Sequence, residues 1–257
     1  MKSNAIIRIV LYAILLLVLV GILLAGLGVR MFIFEFGSKN DILGEGSVPA
    51  ADIKNLEIDW ADGSIEIVTG DTDQIIFTES GEINNDYRMS YSVRGDTLKL
   101  NYSKSGFSIG FVSIPSKDLL VTVPKDWICH ELELDGASMD IKLDGLKVDK
   151  LDVDGASNTI HFTGTIGTFS CDGASTDITM FCTKTPSSID IDGASCELDL
   201  TLPEDCGFRA ELSGLSCDFD SDFPYTTKDG FQIYGNGQCT ILVDGISCDV
   251  MIHKSTN

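Results

Sequence analysis

The chain has 257 residues, is 44% hydrophobic, and carries 18 Lys and Arg against 39 Asp and Glu, a formal net charge of -21. That balance excludes a nucleic-acid binder, which needs a basic face to neutralise phosphate. It also excludes an outer part that lies on anionic lipid, and the hydrophobic content excludes a disordered acidic tail. The charge is unevenly placed. Residues 1–30 hold Lys2, Arg8 and Arg30 and no acid, a net +3, so residues 31–257 carry 15 bases and 39 acids, a net -24.

From Ile9 to Val29 there are 21 residues without a charge. As a helix rising ~1.5 Å per residue they span ~31 Å, matching a hydrocarbon core of ~30 Å. Backbone groups in lipid have to be satisfied within the segment, so helix is the expected form. Residues 9–29 therefore read as a transmembrane anchor and residues 1–8 as a cytoplasmic N-terminus. The competing reading is a cleaved signal peptide, whose apolar region usually runs only ~7–15 residues. Ala25-Gly26-Leu27-Gly28 offers small residues but no A-x-A site. Lys2, Arg8 and the free amine outweigh Arg30 and Lys39, which favours the N-terminus inside and the bulk of the chain extracellular.

Residues 30–52 read as a linker, punctuated by Gly37, Ser38, Asn40, Gly44, Gly46, Ser47 and Pro49. A β unit is expected over 53–128. Leu56 to Trp60 alternates with period two, and so does Ile65 to Val68 after the turn signal Asp62-Gly63. Ile75 to Phe77, Met89 to Val93, Thr97 to Leu100 and Leu119 to Val123 continue the pattern. Gly106 to Ile114 is a glycine-flanked apolar run. It is expected to be a strand packed on the core, the alternative being a loop tip that touches membrane or a partner.

Residues 129–257 repeat. Six copies align: Asp135-Gly136-Ala137-Ser138, Asp154-Gly155-Ala156-Ser157, Asp172-Gly173-Ala174-Ser175, Asp192-Gly193-Ala194-Ser195, Ser213-Gly214-Leu215-Ser216 and Asp244-Gly245-Ile246-Ser247. The residue before each corner is apolar (Leu134, Val153, Cys171, Ile191, Leu212, Val243), as is the third after each Ser (Ile141, Ile160, Ile178, Leu198, Phe219, Val250). One copy cannot bury its apolar row alone. Stacking copies ~4.8 Å apart makes one continuous core and pairs each backbone with the copies on either side. Glycine is expected to supply the corner dihedral, and the Asp and Ser side chains to bond free corner N–H groups. The fold class expected is all-β: a single-stranded β-solenoid or β-helix of ~20-residue repeats, with a preceding β unit that caps it and one N-terminal transmembrane helix. The rival arrangement makes each Asp-Gly the tip of a hairpin in a sandwich or prism.

A family resemblance rests on these residues. Ile53-Lys54-Asn55-Leu56-Glu57-Ile58-Asp59-Trp60, with Gly63 and Ile65-Glu66-Ile67 after it, resembles the opening of the bacterial putative-adhesin domain family. So do Leu119-Leu120-Val121-Thr122-Val123-Pro124-Lys125 and the serial Asp-Gly-Ala-Ser copies, over roughly residues 50–253. The resemblance implies an uncharacterised β-solenoid family that includes membrane-anchored accessory proteins of cell-envelope-stress systems, LiaG-like proteins among them. Many family copies place Gly before the acid, where this chain has Met139, Asn158, Thr176, Cys196, Cys217 and Cys248, a change read as one of packing.

No motif for chemistry stands out. None of the eight cysteines forms C-x-x-C, so neither a zinc site nor a redox motif is expected. Cys196, Cys217 and Cys248 share one repeat column. They read as small buried hydrophobes, with an extracellular disulfide staple as the alternative. The Asp column (135, 154, 172, 192 and 244) reads as turn chemistry, with calcium as the alternative. Of His130, His161 and His253, His161 occupies an outward slot. Glu197, Asp199, Asp218 and Asp220 offer paired carboxylates of the kind a glycan-cleaving solenoid enzyme uses, though a chain this rich in acids forms such clusters by chance. No catalytic, cofactor-binding or metal residue is assigned. The chain is expected to be a non-enzymatic envelope protein, anchored through residues 9–29. Its acidic solenoid would bind another envelope protein or a wall polymer, and not nucleic acid. The alternatives are the glycan-cleaving enzyme and a cation-binding wall protein.

Overall fold

The structure, a computed structural model, describes residues 41–81, 83, 87–103 and 115–255. The expected anchor at 9–29 and the whole apolar run at 106–114 lie outside the described residues. Among the described residues no helix is long and apolar enough to cross a membrane. Residues 34–257 form one compact unit.

The strands in chain order are β1 (Ile42–Leu43), β2 (Gly46–Pro49), β3 (Asn55–Asp59), β4 (Asp62–Gly70), β5 (Gln74–Gly81), β6 (Ser90–Arg94), β7 (Thr97–Asn101) and β8 (Lys117–Pro124). They continue as β9 (Cys129–Cys182), β10 (Ser188–Leu202), β11 (Phe208–Ser213), β12 (Ser216–Ser221), β13 (Thr226–Lys228), β14 (Phe231–Tyr234) and β15 (Cys239–Lys254). A 3-10 turn, Ala50–Asp52, precedes β3. The second half of the expected linker is thus part of the fold, because β1 and β2 pair with β6 and β5.

Neighbouring copies pair in parallel and in register. Asp192 lies beside Asp172 on one side and Asp244 on the other, and Leu198 lies between Ile178 and Val250. No hairpin joins the two arms of a copy, so the sandwich arrangement is overturned. The pairing runs through the corner: Gly193 aligns with Gly245, and Ser195 with Ser247. Corner backbone thus joins the ladder between rungs, as the Ala137 N–H does in donating to the Ala61 carbonyl at 3.2 Å. Each copy is a rung with two arms, one before the corner and one after. The inward residues of both arms fill the core: Leu134, Val153, Cys171, Ile191 and Val243 before the corner, Ile141, Ile160, Ile178, Leu198 and Val250 after it. Each such aliphatic side chain contributes roughly 1.5–3 kcal/mol of burial.

The glycine expectation also needs correction. None of the six corner glycines has a left-handed backbone. The reason for glycine is closeness of approach. An added methyl at Gly193 would stand 2.4 Å from the Gly173 carbonyl oxygen and 3.0 Å from Cys196 Sγ. At Gly245 it would stand 2.6 Å from the Gly193 oxygen, and at Gly214 2.2 Å from the Gly245 oxygen. The residue three places on (Met139, Asn158, Thr176, Cys196, Cys217 or Cys248) fills the space beneath the missing methyl. The departure from the family pattern is therefore a packing feature, as expected.

The stack is longer than the six copies, and its order differs from the sequence. β3 and β4 pair with the Asp135 rung, Asp59 beside Asp135 and Ile65 beside Ile141. β7 and β8 pair with the outer side of β3 and β4. The β unit at 53–128 therefore supplies two rungs of the same stack. At the other end β15 lies between β10 and the pair β11–β12, so the sixth copy sits between the fourth and the fifth. Both ends use the same device: an outer rung leaves a slot that another strand fills. Antiparallel strands cover the end rungs, β6 on β7, β5 on β8 and β14 on β11. Phe208, Phe219, Phe223 and Tyr234 plug the core at the second end, with Phe223 and Tyr234 ring centres 4.7 Å apart.

Candidate interaction surface

Alternation turns every second residue outward, and parallel register lines those residues up into columns ~4.8 Å apart. On the arm after the corner, one column runs Asp140, Thr159, Asp177, Glu197, Asp249, Asp218. Pairing places Asp177 beside Glu197, Glu197 beside Asp249, and Asp249 beside Asp218. The adjacent column holds Lys142, His161, Thr179, Asp199, Met251 and Asp220. At the first end of the stack the acids are answered by bases. Lys142 meets Glu66 at 2.8 Å, Lys150 meets Glu131 at 2.9 Å, and Lys147 meets Asp126 at 3.1 Å. At the second end they are not: among the described residues Asp177, Glu197, Asp249 and Asp218 have no ion-pair partner. His253 lies 3.2 Å from Asp222 and 3.5 Å from Asp199.

The corner acids form a third column: Asp59, Asp135, Asp154, Asp172, Asp192, Asp244. Burial, then Glu133 and Asp59, push the Asp135 carboxyl up to about 7. Burial followed by Asp172 and Asp244 raises Asp192, and burial followed by Glu57 raises Glu133. Asp59 is held by Lys99 at 3.0 Å, and Glu57 bonds the same ammonium. Burial alone would lower Lys99, but the two carboxylates together raise it. Among the described residues no three His, Cys, Asp or Glu side chains converge to hold a metal ion.

Of the carboxylates in the alternative, glycan-cleaving reading, Glu197, Asp218 and Asp220 are exposed and Asp199 is half-buried. Glu197 and Asp218 share a column but are not neighbours, because Asp249 lies between them. Cys196, Cys248 and Cys217 do form a column in that order, as free thiols, the first two buried. Burial, followed by the Cys217 thiol, pushes Cys248 up to about 12, which suits packing and not reactivity. His161 is exposed, as expected, and His130 pairs with Asp149 at 2.9 Å.

One cluster escaped the sequence reading. Lys117 is wholly buried at the first end of the stack. Its ammonium donates to Glu79 at 2.7 Å, the Tyr87 carbonyl at 2.5 Å and the Tyr102 carbonyl at 2.7 Å. It also lies 4.1 Å from the centre of the Tyr102 ring and 4.8 Å from that of Trp60. Burial lowers this ammonium, opposed by Glu79. All three donors are used, so the cluster is a bolt between strands and not a ligand site. Parity carried the signal: Lys117 takes the inward slot of Lys117-x-Leu119-x-Val121, and Glu79 that of Ile75-x-Phe77-x-Glu79.

Comparisons with known proteins agree with this architecture. No curated protein matches the chain. The structure is similar to that of a putative cell adhesion protein from Clostridium sporogenes, with a TM-score of 0.50 and 13% identity, covering 84% of this chain and 100% of that one. That coverage is more than the repeats alone supply, so the likeness in fold includes β-unit strands. Putative adhesins from Bacteroides fragilis (TM-score 0.39, 12% identity) and Parabacteroides distasonis (0.38, 11%) cover 84% and 86% of this chain and 98% and 100% of their own. The family model Toastrack DUF4097 matches residues 126–252, and that part of the chain is a Toastrack domain.

Proposed function

We propose that the chain is an N-anchored protein of the bacterial envelope that works by binding, without chemistry of its own, as an accessory of an envelope-stress system. The uncharged run Ile9 to Val29 supports the anchor, and the family resemblance supports the setting. The observation that carries the binding reading is the run Asp177, Glu197, Asp249, Asp218: four carboxylates on adjacent rungs with no base among them. Carboxylates ~4.8 Å apart repel one another modestly in water. A cationic partner relieves that repulsion, and a row of fixed period favours one that presents cations along a line. A basic protein segment or an amine-bearing wall polymer fits this description. An anionic polymer would be repelled by the net charge of -24 on residues 31–257.

The test is a photo-crosslinking residue at Thr179, beside the column, in intact cells with and without an envelope-active antibiotic. A defined adduct is expected from position 179 and not from Thr227 on β13. It should disappear when Asp177, Glu197 and Asp249 are changed to their amides. Equal adducts from both positions, or no effect of the amides, would overturn the reading.

A further inference from the structure

Two arms and two ends give the stack four terminal strands. β7 is covered by β6, β8 by β5 and β11 by β14. β12 pairs with β15 on one side and, among the described residues, with nothing on the other. Its six residues, Ser216–Ser221, leave an open backbone edge of ~20 Å. Open edges are templates for another strand, and this fold closes the other three.

The side chains around the edge describe its occupant. Cys217 and Phe219 turn inward, while Asp218 and Asp220 are exposed and face out. Asp218 has no partner among the described residues, and the next outward acid, Asp249, lies on the rung behind it. Where four copies have Ala at the corner, these last two rungs have Leu215 and Ile246, 90% and 49% exposed. A second copy of β12 would set Asp218 and Asp220 against their own kind, which is unfavourable across a strand pair. An anionic segment is excluded for the same reason.

We infer that the free edge of β12 accepts an extended segment of a basic partner protein, which adds as a further strand to the stack. Its Lys or Arg side chains face Asp218 and Asp220, and an apolar residue at one end covers Leu215. The inference rests on the reading that the acidic face binds a cationic partner, and it selects protein over polymer, since only a peptide carries the amide ladder that pairs with an edge.

The experiment uses the full chain in detergent micelles and a synthetic probe, a ten-residue peptide alternating Lys and Val with Leu at one end. Two further peptides carry N-methyl groups on all Lys or on all Val residues. In an extended strand the N–H groups of alternate residues point to opposite edges, so each methylation blocks one edge and keeps the charge. The expected result is that one methylated peptide loses affinity at least about tenfold while the other keeps it. Amide exchange should also slow in Ser216–Ser221 when the unmodified peptide is bound. Equal affinity for all three peptides, with no protection in β12, would overturn the edge site while leaving a charge-driven face intact. Absence of binding by all three also overturns the edge site, and the crosslink from position 179 then judges the wider reading separately.

Discussion

Gly193→Ala is the sharpest perturbation of the corner. Because Gly193 does not need a left-handed backbone, a conformational view makes alanine harmless there. Alanine would even stabilise, by ~0.4–1 kcal/mol, through a less flexible unfolded chain. The stacked corner demands the opposite. The new methyl meets the Gly173 carbonyl oxygen at 2.4 Å, well inside an ordinary carbon–oxygen contact, and Cys196 Sγ at 3.0 Å. The oxygen is backbone held in the ladder, so the rungs have to part, and overpacking of this kind costs ~1–3 kcal/mol. Urea unfolding followed by far-UV circular dichroism measures the difference. The double variant Gly193→Ala/Cys196→Ala removes the sulfur contact and should recover only part of the loss, because the carbonyl contact remains. Gly230 is the contrast: no atom lies within 4 Å of an added methyl and its φ is +88°, so Gly230→Ala costs only the backbone strain of ~1–2 kcal/mol. An unchanged or raised midpoint for Gly193→Ala would refute the close-approach argument.

Three further outcomes follow from buried groups. Lys117→Met leaves the Glu79 carboxylate buried without its ammonium, and should cost ~3–5 kcal/mol in the same assay, much of it regained in Lys117→Met/Glu79→Met. Asn158 is buried and neither of its amide atoms has a partner among the described residues, whereas the same slot holds Met139 and Cys196 in other copies. Asn158→Met should therefore stabilise by ~1–2 kcal/mol, and a loss would show that the amide is satisfied in solution. Asp135 titrates near 7 in the fold and near ~3.9 when unfolded, so the native state holds the extra proton between those values. Its contribution to stability is complete at acid pH and falls as pH rises from about 4 to 7, by ~1–2 kcal/mol after allowing for its partial exposure. Asp135→Asn should flatten that part of the pH–stability curve, and an unaltered curve would contradict the assignment.

The columns were legible because parallel register copies one alternating pattern from rung to rung, so Ile141, Ile160, Ile178 and Leu198 declare their stacking without a structure. The rung order was harder to see. Every copy offers the same alternating arms, so local pattern does not say which copy lies beside which. One clue was present in the fifth copy. Its Ser213 replaces Asp, and its Ser221 stands where other copies have Leu143, Phe162, Met180, Leu200 or Ile252. Terminal repeats are atypical because one side of them has no rung to pack against. The atypical copy is the last in space although it is fifth in sequence. Nor could the pattern disclose the reason for glycine, since a tight turn and a close neighbour select the same residue. The β12 edge was invisible for a related cause: it is defined by what the β13–β14 hairpin does not reach, and that depends on pairing between distant segments.

The carboxylate column and the open edge both depend on the exchange of the last two rungs, and backbone proton contacts test it directly. In parallel register, the amide and α protons of directly paired residues give strong through-space signals, while residues two rungs apart, ~9.6 Å, give none. In perdeuterated protein with back-exchanged amides and selective α-protonation, contacts are predicted between Glu197 and Asp249 and between Asp249 and Asp218. None is predicted between Glu197 and Asp218. A direct Glu197–Asp218 contact, with Asp249 at the end of the stack, would mean that the copies stack in sequence order and would contradict the account.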